Sequence, residues 1–239
     1  MSDKFKNHFD SIAEEYDGDR GEFSKIEAMV LIGSCGKIKG GVILDIGTGT
    51  GIVALEFAKR IGNAGEVIGI DISESMLQRA KKKAEENAVN NIKFDIGSFT
   101  NIPLKNESVD MIVSSAALHH VEPHNKPKAF SEMWRVLRFG GRIVINDAMY
   151  ENKEWRRIFT DMKLLKEHLI RINFPKERMN MALGLTKTSV GLIGTFRDEY
   201  VESVDAIKKY AEEAGFKEIK IKPSYKPLPA HWILKAKKL

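Results

Sequence analysis

Two carboxylates and three glycines carry the clearest chemical pattern in the chain. Asp45 closes the apolar run VILD at 42–45, and Gly47, Gly49 and Gly51 follow at alternate positions. Asp71 ends a second apolar run, EVIGID, twenty residues after Gly51. Glycines directly after a strand let a ligand come close to the backbone, and the helix that follows offers its N-terminus to polar groups. Loops of this kind hold NAD, FAD, nucleoside triphosphates or S-adenosylmethionine. The dinucleotide fingerprint G-x-G-x-x-G needs a third glycine where this chain has Ile52, so the loop is G-x-G-x-G instead. A P-loop fails as well, because no Gly-Lys-Ser or Gly-Lys-Thr follows. A carboxylate at the end of the second strand accepts hydrogen bonds from ribose hydroxyls. Loop and acid together indicate an adenosine-containing ligand without a pyrophosphate; the alternative is a tight strand-to-helix turn that binds nothing.

The elements that must position these groups follow from periodicity. Strands are expected at 42–46, 66–71, 92–96, 108–114 and 140–147, separated by helical stretches such as IVALEFAKRI and SESMLQRAKKKAEENAV, the latter capped by Ser73. KPKAFSEMWRVLRF is expected to be helical with Ala129, Met133, Val136 and Leu137 on one face. VDAIKKYAEEAGF is a further helix stopped at Gly215, and EIKIK and HWILKA are two last strands. Strands alternating with helices predict a Rossmann-like, doubly wound α/β fold, with a mostly parallel seven-stranded sheet and helices on both faces. Only YKPLPA separates the last two strands, too short for a crossover helix, so an antiparallel C-terminal edge strand is expected. A single domain over 1–239 is expected, with a helical arm at 1–40 and a helical insertion at 151–200.

Composition narrows the class. The 239 residues are 43% hydrophobic and 30% charged, ordinary for a globular protein with a sizeable core. The formal charge of +5 is spread along the chain, and the run Arg79 to Lys83 is followed by Glu85 and Glu86. This reads as a solvated helix face, so nucleic acid is not expected as a partner. Cys35 is the single cysteine, which excludes an intrachain disulfide and a cysteine-cluster metal site. MSDKFKNHFD lacks the apolar core of a secretory signal, and no run approaches the roughly 20 apolar residues of a membrane span. A soluble cytoplasmic protein is expected, as a monomer or homodimer.

With these motifs in place, the chain resembles the class I S-adenosylmethionine (SAM)-dependent methyltransferases, and among them the small-molecule group that includes the ubiquinone/menaquinone C-methyltransferases. FDSIAEEYD at 9–17 resembles the family segment F-D-x-x-A-x-x-Y-D, and VILDIGTGTG and VIGIDIS resemble its glycine loop and second-strand acid. SVDMIVSSAALHHV, RVLRFGGRIVIND and AEEAGF resemble the downstream segments in the same order. The resemblance implies that Gly47, Thr48, Gly49 and Gly51 wrap the methionine part of SAM, with Asp45 supporting the loop and the amino group. It implies that Asp71 holds the ribose, that Ile72 and Met76 flank the adenine, and that Gly97, Ser98 and Phe99 meet its edge. Ser115 and Ala116 would border the sulfonium end. Ser98 stands where the family often has Asp, and Phe139 where it has Pro.

Methyl transfer from a sulfonium is an in-line displacement governed by proximity, and a base matters only if the nucleophile carries a proton. The candidates are His119, His120, Asp147 and Tyr16; one histidine of the pair is expected to face the pocket, His119 being favoured, and Tyr16 and Phe9 are expected to act as a lid. No Asn/Asp-Pro-Pro-Tyr follows the fourth strand, which speaks against base or glutamine N-methylation. Cysteine-dependent cytosine C5 methylation and arsenic methylation lack their thiols. A carboxylate-bound metal lacks half its ligands at Ser114 and Ser115, so no metal is expected. Trp155, Phe159, Met162, Phe174, Met179, Met181 and Phe196 make the insertion a candidate cap over a partly apolar small-molecule acceptor. RNA or protein as acceptor, and a SAM-binding subunit that does not catalyse, are the alternatives.

Overall fold

The computed structural model describes residues 3–38, 40–172, 200–224 and 231–239. Two helices, α1 (Asp3–Ile12) and α2 (Tyr16–Cys35), precede the sheet. The first half then alternates β1 (Gly41–Ile46), α3 (Ile52–Ile61), β2 (Gly65–Asp71), α4 (Glu74–Glu86) and β3 (Ile92–Ile96). β4 (Val109–Ser115), α5 (Lys126–Val136) and β5 (Leu137–Tyr150) follow, and β5 leads into α6 (Lys153–Thr160) and α7 (Met162–Arg171). The chain closes with β6 (Glu202–Ser203), α8 (Val204–Glu213), β7 (Lys217–Pro223) and β8 (His231–Lys237).

The sheet runs β3-β2-β1-β4-β5-β8-β7, with the short β6 paired to β5. β1 pairs in parallel with β2 from Gly41↔Gly65 to Ile46↔Ile70, and with β4 from Ile43↔Met111 to Asp45↔Val113. The chain therefore winds outward from β1 through β2 and β3, then crosses back to β4. The carboxyl ends of β1 and β4 part at that reversal, where open α/β sheets place their ligands.

Alternation along the strands divides the core into two layers. Leu31 and Ile32 of α2, Phe57 of α3 and Leu77 of α4 meet Ile43, Val67 and Val144 on one face. Phe130 and Met133 of α5 and Ile207 of α8 meet Leu44, Ile112 and Leu234 on the other. Burying each such side chain contributes about 1.5–3 kcal/mol, so the sheet carries most of the fold's stability. Among the described residues no helix is long and apolar enough to cross a membrane.

Two expectations change in detail. The helix expected through Phe139 ends at Val136, because Leu137 is extended and pairs with Val109. Pairing buries Leu137 completely, a larger gain than one more helical residue would bring. The antiparallel strand is β8, one in from the edge between β5 and β7, and β7 takes the edge itself. The expected arm is α1 and α2. The expected insertion is helical over α6 and α7, while Phe174, Met179, Met181 and Phe196 lie outside the described residues.

Gly51 shows how tightly the first turn is packed. It caps α3 at φ +82°, and a Cβ there would lie 2.9 Å from the Ala80 Cβ and 3.3 Å from the Phe94 ring. Gly51→Ala should cost about 2–3 kcal/mol through backbone strain and overpacking, read as a lower urea midpoint.

Candidate active site

The floor of the site is the loop between β1 and α3, bound at both sides to β2. The Gly47 and Thr48 amides both donate to the Ile70 carbonyl, at 2.9 and 3.0 Å. The Gly49 amide donates to Asp71 Oδ2 at 2.9 Å, and the Ser73 amide donates to Asp71 Oδ1 at 2.9 Å. One carboxylate thereby fixes the glycine loop and the turn after β2 together. Gly47 and Gly49 have φ of +72° and +53°, which leaves the loop backbone bare of side chains.

Asp45 sits beneath the loop, where Thr48 Oγ1 donates to its Oδ2 at 2.7 Å. Burial pushes the Asp45 carboxyl up to about 7, with the charge of Asp71 adding to the rise and the Thr48 bond opposing it. Burial raises Asp71 too, against the Ser73 and Gly49 amides that favour its charged form.

The far wall is the end of β4 and the loop after it. Ser114 Oγ donates to the Ile46 carbonyl at 2.8 Å, leaving Ser115 to face the pocket. Ala116 takes φ +50°, and Asp147 holds the loop in that shape. Asp147 Oδ2 accepts from the amides of Ala117 and Leu118, at 3.0 and 2.6 Å. Its Oδ1 accepts from the Ala148 amide at 2.7 Å and meets His119 Nδ1 at 2.6 Å. Burial would raise Asp147, but the His119 ring and these donors outweigh it and hold the carboxyl below its ordinary value.

The roof comes from the arm and from His120. The His120 ring lies 5.0 Å from both Phe5 and Phe9, and Phe9 meets Tyr16 edge-on at 6.5 Å. The two aspartates of the FDSIAEEYD segment hold this arm down. Asp10 Oδ1 accepts from Ser73 Oγ at 2.6 Å, and Asp17 Oδ1 accepts from Thr50 Oγ1 at 2.7 Å while pairing with Lys83.

The pocket so enclosed is about 830 Å³, solvent at its mouth included. It brings together nearly all the residues singled out from the sequence. Asp45, Gly47, Thr48, Gly49 and Ser115 line one end, and Asp71, Ile72, Met76, Gly97, Ser98 and Phe99 the other. Gly51 does not line it; its glycine is required by α4. Tyr16 lines the roof, but His119 and Asp147 do not line the pocket, because each is spent on the other. His120 lines it instead. Sequence reasoning missed Glu27 of α2, a buried carboxylate in the wall. A single acid inside a helical arm carries no pattern that would have marked it.

A doubly wound sheet with a carboxylate at the end of β2 and a bare glycine loop at its switch point is the arrangement expected for an adenosine-containing ligand. Residues 37–215 match the Methyltransferase domain family, and the chain belongs to that family. It is 27% identical over 184 residues to an arsenite methyltransferase of Halobacterium salinarum, covering 77% of this chain and 39% of that protein. It is 33% identical over 142 residues to a ubiquinone/menaquinone biosynthesis C-methyltransferase of a Marinomonas species, covering 57% of this chain and 56% of that one. The chain thus spans only about half, or less, of the length of these relatives. A SAM-dependent methyltransferase from Aquifex aeolicus has the same fold, with a TM-score of 0.60 at 19% identity over 89% of this chain and 90% of that one. The chain therefore carries a methyltransferase domain, for which SAM is the cofactor that the resemblance implies. An observation in the pocket fits this cofactor: Ser115 Oγ is buried there without a hydrogen-bond partner among the described residues.

The raised carboxyl of Asp45 gives a pH signature. The native state keeps Asp45 protonated to about pH 7, while an ordinary aspartate releases its proton near 3.8. Stability that is fully present below 3.8 is therefore lost as pH rises through 7. Asp45→Asn keeps an acceptor for Thr48 but removes the titration. The wild-type urea midpoint should fall more steeply than the variant's between about pH 4 and about pH 8; parallel profiles would contradict the assignment.

Proposed function

We propose that the chain transfers the SAM methyl group to a small-molecule acceptor. The observation that carries this reading is the roof. Phe9, Tyr16 and His120 close the pocket from above, and the arm that bears two of them is tied to the glycine loop through Asp17 and Thr50. A partly enclosed, partly aromatic pocket suits a compact acceptor better than a nucleic-acid surface. The similarity to a quinone C-methyltransferase supports a small acceptor. Arsenite, the substrate in the name of the other relative, is not favoured here. The single cysteine, Cys35, is buried at the end of α2 and burial pushes its thiol up to about 12, so it offers no thiolate.

Bound SAM supplies an electrophilic methyl group on a sulfonium. In our reading the bare backbone of Gly47, Thr48 and Gly49 carries its methionine part, and Asp71 holds the ribose hydroxyls. Ile72 and Met76 flank the adenine, and Gly97, Ser98 and Phe99 meet its edge. Ser115 borders the sulfonium. His120, rather than His119, is the wall imidazole able to take a proton from an acceptor, with Tyr16 beside Phe9 in the lid. His119 and Asp147 act at one remove: together they hold Ser115 to Leu118 in place. Proximity does the remaining work.

A turnover screen for S-adenosylhomocysteine against fractionated small metabolites tests this reading. We expect product with a small-molecule fraction, and Asp71→Ala should lower SAM affinity at least about tenfold through the ribose contacts. Methyl incorporation into bulk RNA, with none into the metabolite fractions, would overturn it.

A further inference from the structure

Glu27 is the pocket residue that none of the roles above uses. It belongs to α2, is 3% exposed, and its carboxylate reaches the pocket wall. His231, at the start of β8, lies 3.5 Å from Glu27 Oε1 by its Nε2 and is itself buried. His231 in turn acts electrostatically on Asp147, which holds the loop after β4. A carboxylate from the arm is thus anchored against the last strand and presented to the cavity.

Position within the pocket decides what it meets. The ribose and adenine end lies toward β2 and β3, with Asp71, Met76 and Ser98. α2 instead packs on α3 and against β4 and β5, so Glu27 enters at the opposite end. Val53 of α3 and Ser115 at the end of β4, the elements α2 packs against, line the same pocket. Phe9 and His120, contributed by α1 and the loop after β4, meet ring to ring over the pocket. In the cofactor placement proposed above, the Glu27 end would hold the amino-acid tail and the β2 end the adenosine. Of the groups on that tail, a buried carboxylate attracts the ammonium and repels the carboxylate.

We infer that Glu27, braced by His231, receives the α-ammonium of SAM, a role the family resemblance implies for Asp45. Asp45 is engaged under the loop by Thr48, whereas Glu27 reaches the wall from outside the loop. The inference rests on the cofactor site proposed above.

Two neutral thioethers separate the possibilities: S-adenosylhomocysteine, which carries the amino-acid tail, and methylthioadenosine, which lacks it. Calorimetric titration of Glu27→Gln should show homocysteine-tail binding weakened about tenfold or more, with methylthioadenosine held within about twofold of wild type. Retained methylthioadenosine binding also shows that the variant pocket is folded. Unchanged or tighter S-adenosylhomocysteine binding would overturn the inference, as would an equal loss for both ligands. If the wild-type protein binds neither thioether, the cofactor site itself is misplaced and this inference falls with it.

Discussion

Asp71 is the constraint on which the site depends. Its two oxygens accept amides from separate loops, Gly49 and Ser73, so the glycine turn and the start of α4 share one anchor. The position is costly: the carboxylate is almost fully buried and burial raises its pKa. Each amide lowers that cost by favouring the charged form, and each bond also removes a degree of freedom from a loop that must meet a ligand. Two further bonds from Gly47 and Thr48 to the Ile70 carbonyl complete the join. β1 and β2 therefore present a single rigid edge at the switch point, and the rest of the pocket is built against it.

The remaining walls use the same device at longer range. Asp10 and Asp17 bind the arm to Ser73 and Thr50, one on each side of Asp71. Lys6 and Ser73 hold Asp10 down to about 2, so this tie stays charged across the neutral range. Asp147 does for the β4 loop what Asp71 does for the glycine loop, gathering three amides and an imidazole. Lys126 joins that loop to the segment before α8, donating to the carbonyls of Val121 and Tyr200 at 2.5 and 2.7 Å. Buried charges on backbone groups fix the loops, while apolar layers fix the sheet.

How much of this is legible in the sequence follows from the range of each interaction. Strand periodicity and helix capping are local, so the doubly wound sheet and the Ser73 cap are readable. The glycine loop and Asp71 are readable because their spacing along one β-α-β unit is itself the geometry. The choice between His119 and His120 is not local. Both lie in a short turn at 118–120, and the pocket takes whichever ring Asp147 leaves, a residue from the next strand. The end of α5 is lost for a similar reason, since Leu137 answers to its partner Val109 and not to helical spacing. Glu27 and His231 come from opposite ends of the chain, and neither carries a motif.

Charge then explains the ligand class more fully than the glycine pattern alone. Reading Ile52 as a missing glycine argues against a pyrophosphate on steric grounds. The structure adds an electrostatic reason, because Asp45, Asp71 and Glu27 all line the pocket and all are buried. Burial raises the Asp45 carboxyl, and the charge of Asp71 adds to that rise. An anionic diphosphate placed over the loop would add to it further. A ligand bearing a sulfonium and an ammonium reduces it, drawing protons off Asp45 as it binds. The buried acids that burden the fold would thus favour the cationic methyl donor proposed above.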